Sequence, residues 1–316
     1  MDRSGQRHPR RSGRLSEEIF SEPAPEHAAV EIPELLSRCT FPPAGTVVDC
    51  AVSGGPDSLA LLVLASEAGC GVTAWHVDHG LRPGSATEAE VVAQAANRWG
   101  AAFEARTAHC DPGPNLEARA RAARYGVLPA GVLTGHTADD QAETVLLNLM
   151  RGAGLDGLAG IDPARRPLLG LRRRETQALC EAQGLEPVQD PSNLDPAHRR
   201  NRIRHELLPL LCDIAERDVV PIIARGASLT GGVRDLLDEL ASPIDPTDAK
   251  ALAEAPEPLA QMALRRWIQR ETDCDHPPDA AAVERVMAVV RNEARSTEIG
   301  GGWRVTRSSQ RLGLNK

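Results

Sequence analysis

From Val47 to Ala65 the chain runs through small and β-branched apolar residues, breaks at the polar stretch 53–58, and resumes as a leucine-rich segment. That pattern predicts a strand over 46–52, a tight glycine turn and a helix over 57–67. The alternation then repeats. Strand patterns at 71–80, 101–108 and 131–136 are each followed by a helical one, at 85–100, 115–130 and 138–154. Ser85 or Thr87 is placed to cap the first of these helices and Asn115 to open the second. Upstream, 30–39 reads as an amphipathic helix with Ile32, Leu35 and Leu36 on one face.

Strands alternating with helices imply a parallel sheet covered on both faces. Ligands of such sheets sit beyond the C-terminal strand ends. Three polar clusters, at 53–58, 76–82 and 136–143, fall there in this register. Their convergence argues for one site more strongly than any single motif does.

The character changes after about Leu211. A linker of one or two helices is predicted over 212–240, then a small, mainly helical domain over 241–316 that closes on a glycine-turned hairpin near 296–314. Residues 1–28 are rich in Arg, Ser, Pro and Glu without periodicity and are expected to form a disordered tail. The principal domain therefore spans 29–211.

Composition refines the picture in three respects. With 41% hydrophobic and 25% charged residues the chain reads as a soluble globular protein. No apolar run approaches a membrane span, and the basic, polar start is no secretory signal, so a cytoplasmic location is expected. The seven cysteines are scattered, odd in number and without a C-x-x-C pair, which argues against a disulfide framework, a zinc site or sulfur-carrier chemistry. The net charge of −8 speaks against a nucleic-acid partner, but its distribution does not. Between Arg165 and His205 nine arginines face five acids, a local excess of +4.

The break at 53–58, Ser53-Gly54-Gly55-Pro56-Asp57-Ser58, suits an anion. Its glycines let successive amides converge, the next helix contributes its positive end, and two hydroxyls add donors. A Walker loop needs a lysine, and the first lysine of this chain is Lys250. The adjacent glycines also fail the G-x-G-x-x-G fingerprint. His76, Asp78 and His79 lie at a strand end, where imidazoles can serve phosphate or ribose or be merely structural. His136 and Asp140 share a helix face with Glu143 one turn on. Two carboxylates and an imidazole at a helix start can hold an ammonium group or a metal, act as a general base, or cap the helix. The arginine runs at 172–174 and 199–204 suit phosphate contacts and equally suit a solvated face.

The loop S-G-G-P-D-S (53–58) resembles that of the PP-loop ATPases, which cleave ATP to AMP and pyrophosphate. With H-V-D-H-G-L-R (76–82), N-L-E-A-R-A-R-A-A-R-Y (115–125), H-T-A-D-D-Q-A-E-T (136–144), R-G-A-G-L-D-G-L (151–158), R-P-L-L (166–169), D-P-S-N (190–193) and R-N-R-I-R (200–204), the chain resembles bacterial tRNA(Ile)-lysidine synthetase over roughly 45–215. The resemblance implies an α/β fold: a parallel-sheet, Rossmann-like PP-loop ATPase domain followed by a small, mainly helical C-terminal domain that binds tRNA. It implies ligation of free lysine to C2 of the wobble cytidine in CAU-anticodon tRNA(Ile), through an adenylated intermediate, with release of pyrophosphate and AMP.

On that reading Ser53, Gly54, Gly55, Pro56, Asp57, Ser58, His76, Asp78 and His79 bind ATP, with Mg²⁺ sharing the phosphate charge and Asp57 its candidate ligand. His136, Asp140, Glu143 and Arg121 serve lysine and catalysis, and Arg124, Arg151, Arg199, Arg200, Arg202 and Arg204 contact tRNA. Thr137 stands where the family commonly has a second histidine, and a further C-terminal domain borne by larger members is not expected. The rivals are another PP-loop enzyme such as a tRNA thiolase, or a non-catalytic tRNA-binding relative. Whether the protein is a monomer or a homodimer is open to the sequence.

Overall fold

A computed structural model describes residues 30–78, 85–108, 116–188, 195–272 and 278–316, without the side chains of 85–87, 116–118, 120 and 121. The side chains invoked above as helix caps at Ser85, Thr87 and Asn115 fall outside the described residues, as do His79, the Arg121 side chain and the D-P-S-N stretch.

Four strands form a parallel sheet in the order β3-β2-β1-β4, comprising β1 (Val47–Ala51), β2 (Gly71–Asp78), β3 (Ala102–Thr107) and β4 (Leu133–Thr134). Val47 pairs with Gly71 and Cys50 with Leu133, so β1 is flanked on both sides. The chain winds outward through β2 and β3 and returns to the other side of β1 at β4. The crevice between β1 and β4 is thus the switch point at which such sheets bind ligands. β4 has two paired residues against the six of the predicted strand, because the chain turns at Gly135 into the next helix.

Helix α2 (Pro56–Glu67) follows the glycine turn, and Ser58 through Ala65 are all buried. A helix apolar all round belongs inside a domain. It packs between the sheet and α7 (Arg173–Ala182), where Leu168, Leu171, Leu179 and Cys180 complete the core. Helix α1 (Ile32–Ser37) adds Leu35, with Ile32 and Leu36 packed beside it, as its periodicity predicts.

Gly135 sets how closely β4 approaches α2. A Cβ there would stand 2.4 Å from the carbonyl oxygen of Asp57 and 3.2 Å from the Cα of Ser58, both backbone atoms that cannot yield cheaply. Gly135→Ala is therefore expected to cost about 1–3 kcal/mol through overpacking, and to push the 53–58 turn off its position. Thermal denaturation together with ATP titration checks both effects; a wild-type melting temperature with wild-type ATP affinity would contradict them.

The remaining helices are α3 (Ser85–Arg98), α4 (Leu116–Val127), α5 (Ala138–Met150), α6 (Leu155–Leu158), α8 (Arg199–Arg202), α9 (Leu208–Ala215), α10 (Val220–Ala241), α11 (Ala249–Glu254), α12 (Glu257–Thr272) and α13 (Ala280–Val290). Between α8 and α9 the turn Ile203–Leu207 is π-helical. The 22-residue α10 serves two cores. Its start packs Val220, Ile223 and Ala224 against Ala138, Ala142 and Leu208. Its end packs Leu237 and Ala241 with Leu264, Trp267 and Val286 of the C-terminal helices.

The chain ends in a three-stranded antiparallel sheet, β5 (Ser296–Gly300), β6 (Trp303–Ser308) and β7 (Arg311–Asn315), where the pattern predicted a single hairpin. A second tight turn, with Ser309 at φ 56°, adds the third strand. No helix among the described residues is long and apolar enough to cross a membrane.

Candidate functional site

A cleft of about 690 Å³ opens at the C-terminal ends of β1, β2 and β4. Ser53, Asp57, His76, His136, Asp140 and Arg173 all line it. The three polar clusters singled out in the sequence meet there.

The 53–58 turn is held by its own hydroxyls. Ser58 Oγ donates to the Gly55 carbonyl at 2.8 Å and accepts from the Ser53 amide at 3.1 Å. Gly54 adopts φ 86°, and its carbonyl accepts the Val188 amide at 3.0 Å. A glycine in this left-handed conformation followed by the start of α2 makes the concavity that backbone amides need to cradle an anion.

His76 is 2% exposed, with Nδ1 3.0 Å from the Val52 carbonyl. That oxygen can only accept, so Nδ1 carries the proton. Nε2, buried and without a hydrogen-bond partner among the described residues, is left for a ligand in the cleft. Asp78 ends β2 beside it, also on the cleft wall. Arg124, on α4, lines the same space with its Nε buried and without a hydrogen-bond partner among the described residues.

Asp140 combines two of the roles the sequence left open. Its Oδ2 accepts the Thr137 amide at 2.9 Å and the Thr137 hydroxyl at 3.1 Å, fastening the first turn of α5. Its Oδ1 accepts Arg173 Nη2 at 2.9 Å. Thr137 is fully buried, in the service of the helix start. His136 Nδ1 bonds the Thr134 hydroxyl at 2.7 Å.

Glu143, one turn on, is 0% exposed and enclosed by three guanidiniums. Arg173 Nη1 reaches Oε1 at 3.0 Å, Arg204 Nε the same oxygen at 2.7 Å, and Arg200 Nε reaches Oε2 at 2.8 Å. Burial alone would raise both carboxyls. The nearby arginines outweigh it and hold Asp140 and Glu143 below the ordinary carboxylate range. Asp57 differs: burial pushes it up, and Arg173 with the Thr176 hydroxyl offset that only in part.

The arginine run 172–174 divides by helical phase. Arg174 points to solvent, 74% exposed. Arg172 forks onto Asp139 at 3.0 and 3.1 Å and also reaches Asp218. Arg173 turns inward to Asp57 Oδ2 at 3.2 Å as well as to Asp140 and Glu143. A charge run had no assigned direction in the sequence. The signal was available in the spacing, since Arg173 stands three and seven residues before the buried Thr176 and Cys180.

In the second run, Arg199 and Arg202 are exposed, with Arg202 in an i, i+4 pair to Glu206, while Arg200 and Arg204 turn toward Glu143. Arg151 caps the end of α5, exposed.

A PP-loop domain model matches residues 27–211. The tRNA(Ile)-lysidine synthase of Mycolicibacterium paratuberculosis is 43% identical over 234 residues, 69% of this chain and 73% of that one. The enzyme of the same name from Nocardia farcinica is 38% identical over 282 residues, 83% and 88% of the two chains. Among solved structures, a U34-tRNA thiolase from Methanococcus maripaludis is similar at a TM-score of 0.51 and 17% identity, covering 63% of this chain and 78% of that one. The last likeness is one of fold alone.

Proposed function

Because this chain belongs to the tRNA(Ile)-lysidine synthases, PP-loop enzymes that use ATP, we propose how its cleft performs lysidine formation and which residues carry it. The observation that carries the reading is the meeting of the glycine loop and the α5 carboxylates in one cleft, joined through Arg173.

ATP lies with its β- and γ-phosphates in the 53–58 turn, against amides, hydroxyls and the start of α2. His76 and Asp78 face the nucleoside side of the cleft. The C2 oxygen of the wobble cytidine attacks the α-phosphorus, and pyrophosphate leaves into the loop. The amine of free lysine then attacks C2, AMP departs with the oxygen, and the amine's proton passes to a carboxylate. Asp140 and His136 line the cleft and meet the ammonium; Glu143 lends its charge from behind. An ammonium group must lose its proton before attacking, and Asp140, on the cleft wall, is placed to take it.

Among the described residues no three metal-ligating side chains cluster. Mg²⁺ would be held on the phosphates, with Asp57, on the cleft wall, as its candidate protein carboxylate. When bound, the ion neutralises charge on the departing pyrophosphate. Arg124 lines the cleft, where it can meet phosphate or developing charge; Arg121 is a candidate for the same role from the sequence motif alone. The exposed Arg151, Arg199 and Arg202 follow the tRNA backbone, while Arg200 and Arg204 brace the site. The C-terminal domain over 241–316 adds tRNA contacts, and the reaction is cytoplasmic.

Thiol chemistry finds little support. Burial pushes the Cys39, Cys50 and Cys180 thiols up to about 12, so these three are poor sources of thiolate.

The test is incorporation of radiolabelled lysine into CAU-anticodon tRNA(Ile) in the presence of ATP. Label in the tRNA is expected. No label, while the same protein forms AMP with another acceptor, would overturn the assignment.

A further inference from the structure

Both carboxylates offered to the lysine ammonium are already occupied. Asp140 spends Oδ2 on Thr137 and Oδ1 on Arg173, with Arg200 also near Oδ1 at 3.6 Å. Glu143 accepts from Arg173, Arg200 and Arg204. Asp57, Asp140 and Glu143 thus face Arg173, Arg200 and Arg204 in a group whose charges balance. A further cation entering it meets no excess negative charge and a guanidinium in its place.

Among these arginines, Arg173 is the one that pairs with both ends of the site: Asp57 at the glycine loop, and Asp140 and Glu143 on α5. It also lines the cleft, with a side chain 18% exposed. A triphosphate placed in the loop adds several negative charges beside Asp57. It offers Arg173 a stronger acceptor than a shared carboxylate, through charge-assisted bonds of the kind a planar guanidinium forms best.

We propose that Arg173 is a positioning residue that hands over between the half-sites, leaving Asp140 for the phosphates when ATP binds and so opening the lysine site. The inference rests on the reaction proposed above. Lysine then binds after ATP, because the ammonium takes the place the guanidinium vacates. Arg200 and Arg204 remain on Glu143 and keep that buried carboxylate compensated throughout.

The experiment is calorimetric titration of lysine into the full chain, with and without an ATP analogue that cannot be cleaved between the α- and β-phosphates. The wild-type protein is expected to bind lysine at least about fivefold more tightly with the analogue present, and by linkage lysine must tighten the analogue by the same factor. Arg173→Gln is expected to abolish that coupling, and Arg173→Lys to restore part of it by returning the charge without the fork.

Lysine affinity that ignores the analogue in the wild-type protein overturns the handover, whatever the variants do. Undetectable lysine binding with the analogue present does the same, as does undiminished coupling in a folded Arg173→Gln. The two proposals fail separately. Lysine absent from the tRNA refutes the reaction; lysine incorporated while its affinity is indifferent to nucleotide refutes only the handover.

Discussion

Glu143→Gln is expected to lower the melting temperature by about 10 °C and to abolish lysine incorporation. The carboxylate is wholly buried and accepts hydrogen bonds from Arg173, Arg200 and Arg204. Glutamine keeps the shape but carries no charge, and its amide nitrogen turns a donor toward a donor. Three guanidiniums then face one another with only Asp57 and Asp140 to compensate them. Removing one partner of a buried ion pair costs about 3–5 kcal/mol, and each kcal/mol shifts the midpoint by about 2–4 °C in a domain of this class. Arg204 loses its anchor on α5 and Arg200 keeps only its bonds to the Asp140 carbonyl and the Thr144 hydroxyl, so the packing of Ile203 and Leu208 beside Ala138 and Ala142 loosens.

The same carboxylates set the acid limit of stability. Asp139, Asp140 and Glu143 are all held below their ordinary values by neighbouring arginines against the cost of burial. The native state therefore binds protons less readily than the unfolded chain at these groups. Their contribution is complete above the unfolded carboxylate range, near pH 4–5, and is lost as pH falls through their depressed native values. Asp57, raised by burial, works in the opposite direction: its ionisation weakens the fold as pH rises through its native value. Three depressed groups outweigh one raised group, so acid should destabilise. Urea midpoints at successive pH values measure the balance, and Glu143→Gln should flatten the acid limb. A limb as steep as the wild type's would mean that the net at Glu143 is not its source.

Asp140→Asn should reduce lysine incorporation by a factor on the order of 10³, while AMP transfer to the tRNA in the absence of lysine persists. Asparagine retains an acceptor for the Thr137 amide, so the start of α5 survives. What it loses is the charge that attracts an ammonium group and the base that takes its proton. Asp140→Ala removes the cap as well, at about 1 kcal/mol. Comparing the two separates helix capping from chemistry. Measuring pyrophosphate release and lysine incorporation in parallel shows which half-reaction each variant stops. Equal loss in both half-reactions of Asp140→Asn would place Asp140 in nucleotide activation instead.

The 53–58 turn, the strands around it and, to within one residue, the helix starts at 56 and 138 were legible in the chain because each is dictated locally. A glycine loop between an apolar strand and an apolar helix has one favourable geometry. The 3.6 and 2.0 periods identify element and face without reference to anything distant. The anion cradle follows from backbone amides and therefore from residue types in order. The short β4 and the third strand of the C-terminal sheet were not legible, since each depends on where a neighbour ends.

Helical spacing hinted at the inward face of Arg173, but tertiary structure decided which carboxylates the arginines of the two runs meet. Arg173 and Arg174 are adjacent and chemically identical, yet one is half-buried among three carboxylates and the other is largely exposed, near Asp218. Arg200 and Arg202 divide in the same way, toward Glu143 and toward Glu206. A charge run has no preferred face of its own, because each guanidinium's energy depends on the carboxylates that distant segments bring within about 4 Å of it. Asp57, Asp140 and Glu143 lie up to 86 residues apart in the chain and meet only when β1 and β4 pair. The residue types and the cleft were thus written into the order of the amino acids, while the pairing of charges within that cleft came from the fold.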